Sequence, residues 1–370
     1  MTHFFLTGAT GVIGSAVLRC LIDAGERVTI PVRAGSPAHL KQRLSRLYRF
    51  CGISEPEKGL ITPVKADLHQ PGLGLSPDKY RDLAARITHI LHCAGNVTMN
   101  LSPEAAVSQT MGMTRNLVLL TENSPRVRKT VYVSTVGVAG DTPGSIPEDW
   151  ITRDRGFRNS YEAAKSDAEL FIRQKIEGGL NITVVRPSMV IGDARTGKNI
   201  RFQVFYYLCE FLSGSRTRGL VPDLKNISLD VIPCDYVGSL IYRAACRPRP
   251  FPVILHACSG PDKSIGLDDL AHRVRNIYRK HGYCLPGLKK VPLPLYRILI
   301  RCLIPFAPVK ARRSLKTLPM FLNYLDTPQG FLNTETGKLA GAGGINQPEP
   351  LACVDRSLEY YLRAGNPAGG

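Results

Sequence analysis

The chain has 370 residues, 44% hydrophobic and 21% charged, which is ordinary for a soluble globular protein with a sizeable core. No run of about 18 apolar residues occurs, and strand character begins by residue 3, so neither a membrane-spanning helix nor a signal peptide is expected and the chain reads as cytoplasmic. A formal charge of +18 favours anionic partners such as a phosphate-bearing substrate, an acidic membrane surface or nucleic acid, although a solvated basic surface would give the same balance.

Candidate strands fall at 3–7, 28–32, 60–65, 89–93, 129–134, 181–186 and 253–258, and each of the first five is followed by a helix-length segment. That alternation predicts a doubly wound parallel α/β sheet covered by helices on both faces. After Pro187 the rhythm breaks, which predicts a nucleotide domain over 1–186, completed by about 230–260. A smaller, discontinuous C-terminal cap follows from 187–229 and 261–370, with helices at 267–281 and 351–363. Ten scattered cysteines with no CxxC pair point to reduced thiols, and no zinc or other metal site is expected.

Between the first strand and the first helix stands Gly8-Ala9-Thr10-Gly11-Val12-Ile13-Gly14. Glycines at such a turn let the backbone approach a pyrophosphate, and the helix N-terminus offers N–H groups and a positive dipole end. At the end of the second strand, "VTIPVRAGS" has no acid to accept from a ribose 2′-OH. It has Arg33, with Lys41 and Arg43 close behind, so NADPH is expected rather than NADH. Asp67 and Leu68, after the third strand, would border the adenine.

"NSYEAAKSDAELF" places Tyr161 and Lys165 at i, i+4, on one helix face. A hydride reductase needs an acid for the nascent alkoxide. A lysine ammonium beside a tyrosine would pull its pKa down from about 10 toward neutrality. Thr135, or Ser134 beside it, lies at the end of the fifth strand about 26 residues before Tyr161 and would hold the substrate oxygen, with Val136 next to it.

Together these elements resemble the extended short-chain dehydrogenase/reductase superfamily over roughly residues 1–260, which implies a Rossmann-like sheet. Within it the chain looks closest to the thioester reductase and fatty acyl-CoA reductase branch, the male-sterility type. The narrower likeness rests on "THILHCAGNVTMNLSPEAA", "VYVSTVGVAG", "VVRPSMVIGDARTG" and "LDVIPCDYVGSLI". The resemblance implies that Thr135, Tyr161 and Lys165 are catalytic and that Gly8, Gly11 and Gly14 bind the pyrophosphate. It also implies that His92, Ala94 and Gly95 line the cofactor, with Asn96 on the substrate side, and that Pro187 and Ser188 pass near the nicotinamide. The chain departs from these relatives at Gln109 and Met113, where Asn and Thr are usual.

Residues 285–325 hold eight basic residues and no acid. The segment 289–316 would lie on an anionic membrane, form the mouth of an acyl tunnel, or pack as a cap helix with snorkelling arginines. Arg195, Lys198 and Arg201 would meet phosphates of coenzyme A or of the phosphopantetheine on an acyl carrier protein. No aromatic and basic interleaving occurs, so no nucleic acid partner is expected. The expected activity is NADPH-dependent reduction of an acyl thioester to aldehyde or alcohol. The alternatives are a ketoreductase or alcohol dehydrogenase acting on a lipid, polyketide or steroid-like carbonyl, a non-catalytic NADP-binding regulator, and a sugar-nucleotide epimerase.

Overall fold

The structure is a computed structural model that describes residues 2–98, 101–223, 227–247, 253–303 and 328–364. Seven short apolar segments form the central sheet: β1 (His3–Thr7), β2 (Arg27–Val32), β3 (Ile61–Lys65), β4 (His89–His92), β5 (Lys129–Val133), β6 (Ile182–Pro187) and β7 (Ile254–Ala257). Their order is β7-β6-β5-β4-β1-β2-β3, every pair parallel, and all seven expected strands take part. The order reverses between β1 and β4, where Thr7 is in register with His92. Open parallel sheets bind ligands outside the carboxyl ends of their strands at such a reversal.

Helices follow as α1 (Val12–Asp23), α2 (Pro37–Cys51), α3 (Pro77–Arg86), α4 (Pro103–Glu122), α5 (Ser160–Glu177), α6 (Val204–Leu212), α7 (Cys234–Cys246), α8 (Leu267–Lys280), α9 (Leu293–Leu303), α10 (Thr334–Ala342) and α11 (Pro350–Arg363). Alternate residues of each strand feed opposite faces of the sheet. Phe4 and Leu6 join Val17, Leu18 and Leu21 of α1 and Val237, Leu240 and Ile241 of α7. Phe5 points the other way, to Leu117 and Val118 of α4 and Ala168 and Ile172 of α5.

A third buried cluster lies beyond the sheet. Phe205 and Phe211 of α6, Val274 and Tyr278 of α8, and Leu358 and Tyr361 of α11 meet there. α8 and α11 match the two helices expected after residue 260. α6 and α10 are further helices of the segments after Pro187. Two small parallel ladders, 189–191 with 231–233 and 144–146 with 329–331, tie the late segments to the sheet's carboxyl edge.

Of the basic stretch 289–316, residues 304–316 lie outside the described residues. α9 is anchored by Tyr296, fully buried and edge-on to Phe211 at 6.1 Å. Leu295 and Ile298 face outward. Among the described residues no helix is long and apolar enough to cross a membrane.

Candidate active site

The glycine turn is built backbone to backbone. Gly8 has φ +74°, and a Cβ there would sit 2.6 Å from the Ala94 amide nitrogen and the Cys93 carbonyl carbon, at the exit of β4. A Cβ on Gly14 would sit 2.1 Å from the Gly8 carbonyl oxygen, so α1 closes directly on the turn. The Gly11 amide donates to the Gly8 carbonyl at 2.8 Å, and α1 starts at Gly11 with no side-chain cap. An uncapped helix N-terminus behind a turn entered and left by glycines is a cradle for an anion. It fits the diphosphate of a dinucleotide, with Val12 and Ile13 supplying the first-turn backbone.

At the carboxyl end of β2 the Arg43 guanidinium reaches from α2 to both the Arg33 carbonyl and the Thr10 hydroxyl, the latter at 2.8 Å. This ties the end of β2 to the glycine turn. Burial, with the charges of Arg33 and Arg201, lowers the Arg43 pKa, so three guanidinium groups share this corner. Asp67 lies close enough to feel the Arg33 charge. Burial works upward on its carboxyl, but hydrogen bonds from the His69 amide and ring outweigh it, and the net pKa is lowered. The Leu68 carbonyl accepts from Asn116 at 2.8 Å. Arg33, Arg43 and Asp67 thus lie together at the end of β2.

At β4, His92 is 1% exposed. Its Nδ1 is 2.9 Å from the Thr7 hydroxyl, which also accepts the Ala94 amide at 3.2 Å, and its ring stacks on Tyr132. Burial, with the charge of Lys165, pushes its pKa down to about 3, so the ring is neutral. His92 therefore pins β1 to β4 at the switch point. Beyond it, a Cβ on Gly95 would sit 3.7 Å from the Lys165 ammonium.

The Asn159 side chain caps α5 by accepting from the Glu162 amide at 3.0 Å, which sets Tyr161 in the first turn and Lys165 one turn on. Lys165 is 4% exposed, and its Nζ donates to the Val133 carbonyl at 3.0 Å and lies 4.9 Å from the Tyr132 ring centroid. Its pKa is lowered by burial, against the raising effects of Tyr161, Glu169 and Cys93.

The Tyr161 pKa is raised. Burial outweighs the Lys165 charge and the Thr135 hydrogen bond, both of which act downward. Against the downward pull expected from Lys165, the removal of the phenolate from water is the larger effect in this structure. Thr135 caps a short turn at 136–139 by accepting from the Gly137 amide at 3.1 Å, with Val136 half-buried beside it. Ser134 has a buried hydroxyl that makes no hydrogen bond. Asn96 donates to Gln109 at 2.8 Å and ties the segment after β4 to α4. Pro187 ends β6, and the Ser188 amide donates to the Ala257 carbonyl at 3.1 Å.

The elements converge. Gly8 touches Ala94, Gly95 faces Lys165, and Lys165 and Thr135 both act on Tyr161. Three participants went unread in the sequence. The Val133 carbonyl carries no side-chain signal. Cys93 sits against both Gly8 and Lys165. Asn159 was legible as an N-cap three residues before Glu162.

Comparison with known proteins follows this geometry. The family model described as male sterility protein, an NAD-binding domain, matches residues 6–241. A nonribosomal peptide synthetase of Aspergillus flavus is 26% identical over 383 residues, covering 98% of this chain and 36% of the relative. The L-2-aminoadipate reductase large subunit of Penicillium chrysogenum is 27% identical over 314 residues, covering 78% and 21%. The chain thus spans about a third or less of the length of these curated relatives. The crystal structure of the terminal R domain from the myxalamid PKS-NRPS biosynthetic pathway superposes with a TM-score of 0.82 at 25% identity, covering 100% of this chain and 93% of that one.

Proposed function

The chain belongs to the male sterility protein family of NAD-binding domains, and we propose that it is an NADPH-dependent reductase of acyl thioesters that releases an aldehyde and a free thiol. The observation that carries this reading is the convergence of Thr135, Tyr161 and Lys165 at the carboxyl edge of β5, next to the glycine cradle. The dinucleotide, when bound, supplies a hydride. Gly8, Gly11 and Gly14 hold its diphosphate, and Arg33 and Arg43 receive a 2′-phosphate.

Tyr161 and Thr135 donate hydrogen bonds to the thioester carbonyl oxygen, and that oxygen gains charge as the carbonyl carbon gains hydride. Tyr161 passes its proton to the oxygen, giving a neutral hemithioacetal, and Lys165 limits the charge left on the phenolate. The C–S bond then breaks, the sulfur leaves as thiolate and is protonated, and the carbonyl re-forms as an aldehyde. The balance is thioester, NADPH and one proton to aldehyde, thiol and NADP. A second round on the aldehyde would give an alcohol. The thioester is carried by coenzyme A or by an acyl carrier protein, in keeping with the peptide synthetase and aminoadipate reductase relatives. On the same reading, 1–186 with about 230–260 binds the dinucleotide, and the segments after 187 and 261 receive the acyl chain.

The test follows NADPH oxidation and free thiol together over a panel of acyl-CoA and N-acetylcysteamine thioesters. One thiol per first NADPH is expected. Cofactor oxidation on ketones without thiol would replace this reading by a ketoreductase, and thiol without cofactor oxidation would make it a hydrolase.

A further inference from the structure

A second cationic hollow lies beyond the corner occupied by Arg43. It measures about 390 Å³ and is lined by Arg46, Arg49 and Phe50 of α2, Lys198 and Phe202 of the loop after β6, and Tyr360 of α11. α2 contains no acid. Three cations, Arg46, Arg49 and Lys198, line the hollow, and none forms a salt bridge with a carboxylate among the described residues. Elsewhere on this surface arginines are matched: Arg19 with Asp23 and Glu57, Arg273 with Asp355. Unneutralised like charges held together raise the free energy of the empty site and lower it when an anion arrives.

The wall opposite α2 is preorganised. Asp193, the only acid of 192–202, is turned into its own bend, where Oδ1 accepts from the Arg195 amide, the Thr196 amide and the Thr196 hydroxyl at 3.1, 2.8 and 2.7 Å. Gly197, at φ +68°, is packed on the Arg356 carbonyl. Asn199 is buried, donates to the Tyr206 hydroxyl at 3.2 Å and accepts from the Arg201 amide. Arg46 donates to the Ile200 carbonyl at 3.2 Å and closes α2 onto this bend. The hollow is separate from the dinucleotide corner, because Arg43 turns toward Thr10 and the Arg33 carbonyl and does not line it. The chain of this bend runs back through 189–191 to Ser188 and to Pro187 at the carboxyl end of β6.

We infer that this hollow binds the phosphate end of the pantetheine arm that carries the acyl thioester. The inference rests on the thioester reading above. A phosphate ester is common to coenzyme A and to a carrier protein's prosthetic group, and guanidinium pairs are suited to it. In the coenzyme A case, Phe50, Phe202 and Tyr360 add apolar faces for the adenine.

The test compares three thioesters of one acyl group: on coenzyme A, on a carrier protein, and on N-acetylcysteamine, which has no phosphate. Arg49→Glu and Lys198→Ala are each expected to lower the kcat/KM preference for a phosphorylated thioester over the N-acetylcysteamine thioester at least tenfold, through KM. Loss confined to the coenzyme A substrate identifies the nucleotide form, and loss on both phosphorylated substrates identifies the pantetheine phosphate itself. Direct calorimetry with 4′-phosphopantetheine is expected to give saturable binding that persists with NADPH present and weakens tenfold or more in Arg49→Glu. An unchanged preference, or displacement of phosphopantetheine by NADPH, would overturn the inference. If phosphopantetheine binds as expected while no thioester is reduced, the site stands and the proposed activity fails.

Discussion

Lys165 donates to the main-chain carbonyl of Val133 at 3.0 Å, from a helix to the last residue of β5. That one contact fixes the ammonium beside Tyr161 and joins the acid–base pair to the strand that ends at Ser134 and Thr135. A buried cation held this way acts on its neighbour's proton through charge. Lys165→Met keeps the length and removes the charge. Its kcat is expected to fall about a hundredfold or more, and the alkaline limb of its pH profile is expected to move upward, since a downward pull on the phenol is lost. A profile unmoved in pH would show that Lys165 does not tune Tyr161.

Gly14 cannot take a side chain without moving the turn. A Cβ there would overlap the Gly8 carbonyl at 2.1 Å. Gly14→Ala is expected to destabilise the fold by about 1–3 kcal/mol and to abolish dinucleotide binding. Thermal melts with and without NADPH read both effects, and a wild-type shift on adding NADPH would contradict them.

Arg43 is expected to set cofactor choice. A charge-assisted hydrogen bond is worth about 1.5–3 kcal/mol, so Arg43→Ala should raise KM for NADPH about ten- to a hundredfold and leave NADH nearly unaffected. Equal losses on both cofactors would instead assign Arg43 to holding β2 against the glycine turn through Thr10.

Three histidines make folding sensitive to acid. Burial pushes His92 and His256 down to about 3 and His89 down to about 4, against about 6.5 for an unfolded histidine. The unfolded chain takes up these protons first, so the stability they contribute is complete above about pH 6.5 and is lost as pH falls toward the folded values. Asp230, pushed up to about 6 by burial, acts the other way, with its contribution lost as pH rises through about 6. Three histidines outweigh it. The urea midpoint is expected to drop between pH 7.5 and pH 5, and a constant midpoint would contradict the buried neutral state.

The sheet was legible because each strand is a continuous apolar run, and parallel strands buried on both faces need nothing more than that. The glycine turn and the Tyr161–Lys165 spacing were legible because both depend on local geometry. The direction of the Tyr161 pKa was not, since spacing reports the ammonium but not the depth of burial that overrides it. His92 was readable as part of a motif, yet its stacking on Tyr132 depends on register between strands. The pairing of 144–146 with 329–331 joins residues far apart in the chain and leaves no periodic trace. The hollow beside α2 was half visible: Lys198 and Arg201 stood out as phosphate contacts, while Arg46 and Arg49 belong to no motif.

The central claim is that hydride reaches a thioester carbonyl whose oxygen is protonated by Tyr161. Deuterium carried at C4 of NADPH tests it most directly, with free thiol measured in the same reaction. The account predicts one deuterium on the aldehyde carbon for each thiol released, and a rate about a hundred- to ten-thousandfold lower in Tyr161→Phe with NADPH affinity retained. An unlabelled product, or a Tyr161→Phe variant that turns over at the wild-type rate, would contradict it.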